Sequence, residues 1–246
     1  TVIPNRGAWI EYETDQNNIF HVKIDRQRKL PVTVLIKALG VGTVDEICEM
    51  FGEEDILMNT LSKDTTDGTE KALEEIYKRL RPGEPATLEG SAKLIGSLFF
   101  DDKRYDLARV GRYKFNEKLD LKKRITGKVL AEDVISRTTG EIIAEAGEAI
   151  TEEMADLFAE NAINKVILNV EDKKVVVFSN DTVDAKYFLD FDPKEVGLTE
   201  KVRYSALMNI IENAEDEQDL RATLEDNINN LMPKHIMAED ILASIN

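Results

Sequence analysis

The sequence predicts an α+β protein: a mainly helical segment with a β-hairpin, interrupted by a small β-rich insertion. Three observations carry this expectation. Apolar residues alternate in twos near the N-terminus, recur every three or four positions from Pro31 to Leu98, and return to short alternating runs after Ile125. With 246 residues, 42% of them hydrophobic and 33% charged, the chain can bury one large core or two modest ones.

Trp9 to Glu13 places Ile10 and Tyr12 on one face, and Phe20, Val22 and Ile24 alternate again after Asp15-Gln16-Asn17-Asn18. That is a hairpin pattern. Pro31 opens a helical pattern that Gly40 closes, and Thr43-Val44-Asp45-Glu46 has the form of a capping box for a second helix ending at Gly52. Ala72, Leu73, Ile76 and Leu80 share a stripe on a helix over Thr69 to Leu80, which the Arg81-Pro82-Gly83-Glu84-Pro85 loop breaks before another helix to about Leu98. Short strands are expected over Gly127 to Leu130, Glu141 to Ala144, Lys165 to Val170 and Lys174 to Phe178, with a helix over Thr151 to Asn161. A helical, strongly acidic tract over 181–230 should follow, its cluster around Glu212, Glu215, Asp216, Glu217 and Asp219 reading as a solvated face.

The formal net charge is −16, and it is unevenly spread. Residues 1–125 carry 21 Lys+Arg against 22 Asp+Glu, whereas residues 126–246 carry 11 against 26. Within 103–124 nine basic residues face three acidic ones, interleaved with Tyr105, Tyr113 and Phe115. A polyanion can approach the first half and is repelled by the second.

No apolar run reaches 18 residues, and the N-terminus has no basic region followed by an apolar one, so a membrane span and a secretion signal are not expected and the location is cytoplasmic by default. Cys48 is the sole cysteine and is expected to pack as a small apolar residue; with His21 and His235 far apart, no Cys/His zinc site can assemble. Asp190-Phe191-Asp192 is a lone acidic pair on a strand or loop, and no phosphate loop, nucleophile elbow or dinucleotide glycine pattern occurs. No catalytic and no metal-binding residue is therefore assigned. Thr1 is not a start methionine and Asn246 stops directly after the amphipathic Ile241, Leu242 and Ile245, so the chain reads as a piece of a longer one.

Trp9 and the cations of the Ile24–Pro31 stretch admit two readings. By composition Trp9 is a core anchor, and Arg26, Arg28 and Lys29 are surface charges; a flat aromatic beside Asp25 and Arg26 can also stack on an unpaired base. Arg81, at a helix C-terminus, complements the helix dipole or contacts a phosphate.

Ile3-Pro4-Asn5-Arg6-Gly7-Ala8-Trp9, Ile24-Asp25-Arg26-Gln27-Arg28-Lys29-Leu30-Pro31, Arg81-Pro82-Gly83-Glu84-Pro85 and Leu98 to Leu107, running on to Val110-Gly111-Arg112-Tyr113-Lys114-Phe115-Asn116, together resemble the β subunit of bacterial DNA-directed RNA polymerase. The resemblance covers the end of the protrusion and the lobe. It implies a lobe over 1–124, a lineage-specific insertion of Firmicutes type over 125–230 (β-rich over 125–180, acidic and helical over 181–230), and a return helix over 231–246. Gly127 to Asp133, Thr139-Gly140-Glu141 and Ala144 to Gly147 are similar to a sandwich-barrel hybrid module.

The resemblance further implies a non-catalytic role in a nucleotidyltransferase. Trp9 is expected to stack on a non-template base, Asp25 to lie beside the pocket for the next base, Arg81 and Arg104 to line the single-stranded path, and Arg26 and Lys29 to add positive field. Tyr105, Tyr113 and Phe115 then become anchors in the lobe core. Non-template and downstream DNA, the α, β′ and ω subunits and a sigma factor are the implied partners, in a nucleoid-associated complex. No cofactor is implied for this segment, the Mg²⁺ being held by β′. A protein-interaction scaffold docking basic partners through the acidic half is the alternative.

Overall fold

The computed structural model describes residues 1–246. Ile10–Thr14 (β1) and Phe20–Ile24 (β2) form the expected antiparallel hairpin, and Leu30–Pro31 (β3) adds a third strand to β2. The register Ile10↔Ile24 and Tyr12↔Val22 puts the alternating apolar residues on one face, where Ile10, Val22 and Ile24 are buried.

Pro31 stands just outside helix Val32–Ala38 (α1), and Val44–Phe51 (α2) starts with the capping box its sequence spells. The Glu46 amide donates to Thr43 Oγ1 at 3.1 Å and the Thr43 amide to Glu46 Oε2 at 2.9 Å, two otherwise unpaired donors satisfied reciprocally. Asp55–Lys63 (α3) is not among the expected helices; its N-cap, Glu54, makes no side-chain cap bond. Gly68–Leu80 (α4) and Leu88–Phe99 (α5) follow, with α1 packed on α3 and α4, and α4 on α5. Cys48 is only half-buried, its Sγ 3.8 Å from Met58 Sδ, and burial with nearby Glu53 and Asp45 pushes its thiol up.

One charged pair is enclosed among these helices. Lys37 Nζ lies 3.0 Å from Asp64 Oδ2 and donates to the Thr66 carbonyl at 2.7 Å, and both side chains are nearly solvent-free. Burial alone raises the Asp64 carboxyl, but hydrogen bonds from Thr66, Thr33 and Lys37 outweigh it and hold the group below its ordinary value.

Ala108–Lys118 (α6) contains the division between two compact units, Thr1–Gly111 with His235–Ala238, and Arg112–Lys234 with Glu239–Asn246. In the second unit, Leu121–Ile125 (α7) precedes Val129–Leu130 (β4), Val134–Ile135 (β5), Ile142–Ala144 (β6), Glu152–Glu160 (α8), Lys165–Val170 (β7) and Lys173–Phe178 (β8). β4, β7 and β8 make one antiparallel sheet, and β5 pairs with β6. Leu130, Ile150, Phe158, Val166 and Leu168 fill the core between the sheet and α8.

Residues 181–203 depart from the helical tract expected there. Thr182–Val183 (β9) pairs with Val202–Arg203 (β10), and 3₁₀ turns at Ala185–Tyr187 and Pro193–Val196 lie between them. Asp192 is the N-cap of the second turn, accepting from the Lys194 amide at 3.0 Å, and Gly197 ends it in a left-handed conformation. Only then come the helices Tyr204–Asn213 (α9), Glu217–Asp226 (α10) and Ile228–Leu231 (α11), around Leu207, Leu224 and Leu231. The final helix, Ala238–Ile245 (α12), is shorter than 231–246, and Pro233 interrupts any helix running on from Leu231.

Candidate nucleic-acid interface

The hairpin register decides what meets at one end of the first sheet. Because Ile10 faces Ile24, Trp9 comes opposite Asp25, whose amide donates to the Trp9 carbonyl at 2.8 Å. Ile24 to Gln27 then reverse the chain, closed by the Gln27 amide on the Ile24 carbonyl at 3.0 Å. Asp25 and Arg26 have φ of 50° and 61°, the left-handed pattern of a type I′ turn, in which glycine or asparagine is the low-cost choice. Arg26 Cζ lies 4.5 Å from the centroid of the Trp9 ring, within cation–π range. Trp9 is thus half-buried and capped by a guanidinium, rather than a core anchor, while Asp25 and Arg26 are exposed.

Lys29 is bound more closely than its sequence neighbours suggest. Its Nζ is 3.1 Å from Glu13 Oε1 and Lys23 Nζ is 2.8 Å from Glu13 Oε2, and these hydrogen bonds, Lys23 first, hold the Glu13 carboxyl below its ordinary range. Arg79 Nη1 reaches the Lys29 carbonyl at 3.4 Å, tying the end of α4 to the strand entry.

Arg81 and Arg104 are the loosely held cations. Arg81 follows α4 in the proline loop, 4.0 Å from Glu84 Oε1, and Arg104 ends a turn whose Asp101 Oδ2 is 3.9 Å from its Nε. Their side chains are 55% and 68% exposed, so solvent screens both pairs and neither holds its arginine back from an incoming phosphate.

Sequence reasoning missed what joins the Arg104 turn to the segment before Trp9. Arg6 and Asp106 exchange backbone hydrogen bonds at 3.1 and 2.8 Å, and Arg6 Nη2 donates to the Asp102 carbonyl at 3.0 Å. Gly7 lets this happen: its φ is 133°, and a Cβ there would sit 2.5 Å from the ring of fully buried Tyr105. The signal was the glycine inside Arg6-Gly7-Ala8-Trp9, whose partner lies 98 residues away and is invisible locally.

Trp9, Asp25 and Arg26 therefore share one corner, Arg104 is tied through Arg6 to the segment just before Trp9, Lys29 is engaged by Glu13, and Arg81 stands on a separate loop. The basic stretch itself breaks up. Tyr105 anchors the core as expected, but Tyr113 is 53% exposed and Phe115 half-buried, because residues 108–118 are helical and turn Tyr113 outward while Arg112 turns inward. Nowhere do three or more His, Cys, Asp or Glu side chains gather as a metal ion would need, and no helix is long and apolar enough to cross a membrane.

A family model described as RNA polymerase Rpb2, domain 2, matches residues 1–148. The DNA-directed RNA polymerase subunit beta of Acetivibrio thermocellus is 52% identical over 247 residues, that of Clostridium novyi 53% over 245 and that of Clostridioides difficile 51% over 246, each match covering 100% of this chain and 20% of the relative. The chain spans about a fifth of the length of the curated relatives it matches.

Proposed function

The chain belongs to the RNA polymerase Rpb2 domain 2 family, and we propose that it works as a non-catalytic lobe segment of a bacterial polymerase β subunit, guiding non-template and downstream DNA in the transcription bubble. The observation that carries this reading is the Trp9 corner: the sole tryptophan, half-exposed, beside an acidic and a basic residue on a left-handed turn. An unpaired strand re-anneals unless contacts compensate for lost pairing, and one stacked base supplies about 1–3 kcal/mol. Trp9 stacks on a non-template base, Asp25 borders the next base, and Arg81 and Arg104 carry the phosphates with field added by Arg26 and Lys29. Nucleotidyl transfer belongs to the whole enzyme, assembled with α, β′, ω and a sigma factor in the nucleoid, where Mg²⁺ on β′ supplies the chemistry. In this reading residues 1–124 and 231–246 are the lobe, and 125–230 is a lineage-specific insertion that begins with a sandwich-barrel hybrid module.

In polymerase carrying the full β subunit, Trp9→Ala should remove the response of open-complex lifetime to an abasic site at the downstream edge of the non-template strand. Identical responses of wild type and variant would end the stacking role. A second reading, a scaffold docking basic partners, is favoured by the 26 acidic against 11 basic residues after position 125. Crosslinking from a photoreactive group beside Arg104 separates the two: the first captures non-template DNA, the second only protein.

A further inference from the structure

The two faces of the Trp9 indole are not equivalent. One carries the Arg26 guanidinium, a planar and weakly hydrated cation that stacks on aromatic faces in a way an ammonium does not. Three features hold it there. The register Ile10↔Ile24 brings the turn beside Trp9, the Asp25 amide bonds the Trp9 carbonyl, and the Gln27 amide closes the turn on Ile24. Glu13, on the same strand, is already engaged by Lys23 and Lys29.

The backbone also carries strain at this spot. Asp25 and Arg26 are consecutive non-glycine residues at positive φ, where Asn-Gly would relieve the cost, and such outliers persist where surrounding structure and function retain them. A glycine at position 26 would suit the turn and lose the guanidinium.

Resting on the reading that Trp9 stacks on a base, we propose that Arg26 is a positioning residue: it closes one face of Trp9 and makes the indole a one-sided platform for a single unpaired nucleobase on the opposite face. A base cannot enter on the Arg26 side without breaking the cation–π contact. The stack is then base, indole, guanidinium, with the cation placed to offset strand charge without a direct phosphate bond.

Trp9 is the only tryptophan in the 246-residue chain, so its fluorescence reports this pair without DNA. Opening the second face should raise the acrylamide quenching constant about twofold in Arg26→Ala and Arg26→Gly, and less in Arg26→Lys, which keeps the charge but not the plane. Arg26→Gly keeps the turn, so a rise in Arg26→Ala alone would trace the effect to backbone disruption and overturn the proposal, as would no rise in either. In assembled polymerase with a fluorescent adenine analogue at the downstream edge of the non-template strand, Arg26→Ala and Arg26→Gly should weaken stacking of the analogue several-fold. Unchanged stacking in both would overturn the proposal even if the quenching rises. If Trp9→Ala leaves the analogue unaffected, the stacking reading itself falls and takes the platform with it, whatever the quenching shows.

Discussion

Arg26 and Arg112 are the same residue put to opposite uses. Arg26 lies exposed over an indole. Arg112, in the second unit, is 6% exposed, its Nη1 2.8 Å from Asp240 Oδ2; Asn180 Nδ2 donates to Asp240 Oδ1 at 2.8 Å and to Asn116 Oδ1 at 3.1 Å. The buried arginine binds distant segments of the chain together, because a charge taken out of water must be paired and hydrogen-bonded. The exposed one rests on an aromatic face and stays open to solvent. A count of cations along the sequence therefore overstates the positive field, since some of them are already neutralised inside the fold.

The sharpest way to break this contrast is Asp240→Ala. It strands Arg112 and removes an acceptor of Asn180, and should cost about 3–5 kcal/mol in urea unfolding of the chain. Asp240→Asn, which keeps an acceptor, should cost less. If Asp240→Ala is as mild as a surface substitution, the buried network is not what holds α12.

Next in size is Gly7→Ala, which drives a methyl into Tyr105 at a backbone angle that L residues rarely adopt. A loss of about 2–3 kcal/mol is expected from overpacking. Its value lies in the first unit, where it tests whether the exposed corner rests on a packed joint. Loss of the non-template crosslink from beside Arg104 in Gly7→Ala, with Trp9 quenching unchanged, would sharpen the claim that Gly7 positions the Arg104 turn.

The buried pair of the first unit gives a pH signature. Asp64 titrates below its ordinary 3.8 in the folded chain, so its contribution is fully present above that value and is lost as pH falls through the folded pKa. Asp64→Asn should lower the urea midpoint at neutral pH, and the difference from wild type should shrink below pH 3.8. A difference independent of pH would mean that the carboxylate charge does not matter. The smallest effect belongs to Arg104→Ala, whose stability should stay within about 0.5 kcal/mol of wild type, because its long exposed ion pair contributes almost nothing.

Much of the local structure was legible. The hairpin follows from alternation, α2 from its capping box, α4 from its stripe and α5 from the proline loop before it, all interactions within a few residues. α3 was missed, and so were the strands in residues 181–203, because acidic composition masked two short valine-bearing strands that pair only with each other. At the candidate interface, Trp9 and Arg26 were legible as residue types, but their stacking was not. The roles of Arg6 and Gly7 depend on Tyr105 and Asp106, about a hundred positions away.

By itself the sequence determined the α+β class, the uneven charge and the family, because these rest on residue identity and short-range periodicity. Tertiary structure alone decided which charges are exposed. Arg112 and Asp240 lie 128 residues apart, and whether an arginine faces water or a carboxylate is set by the chain's return to that point, where desolvation makes pairing obligatory.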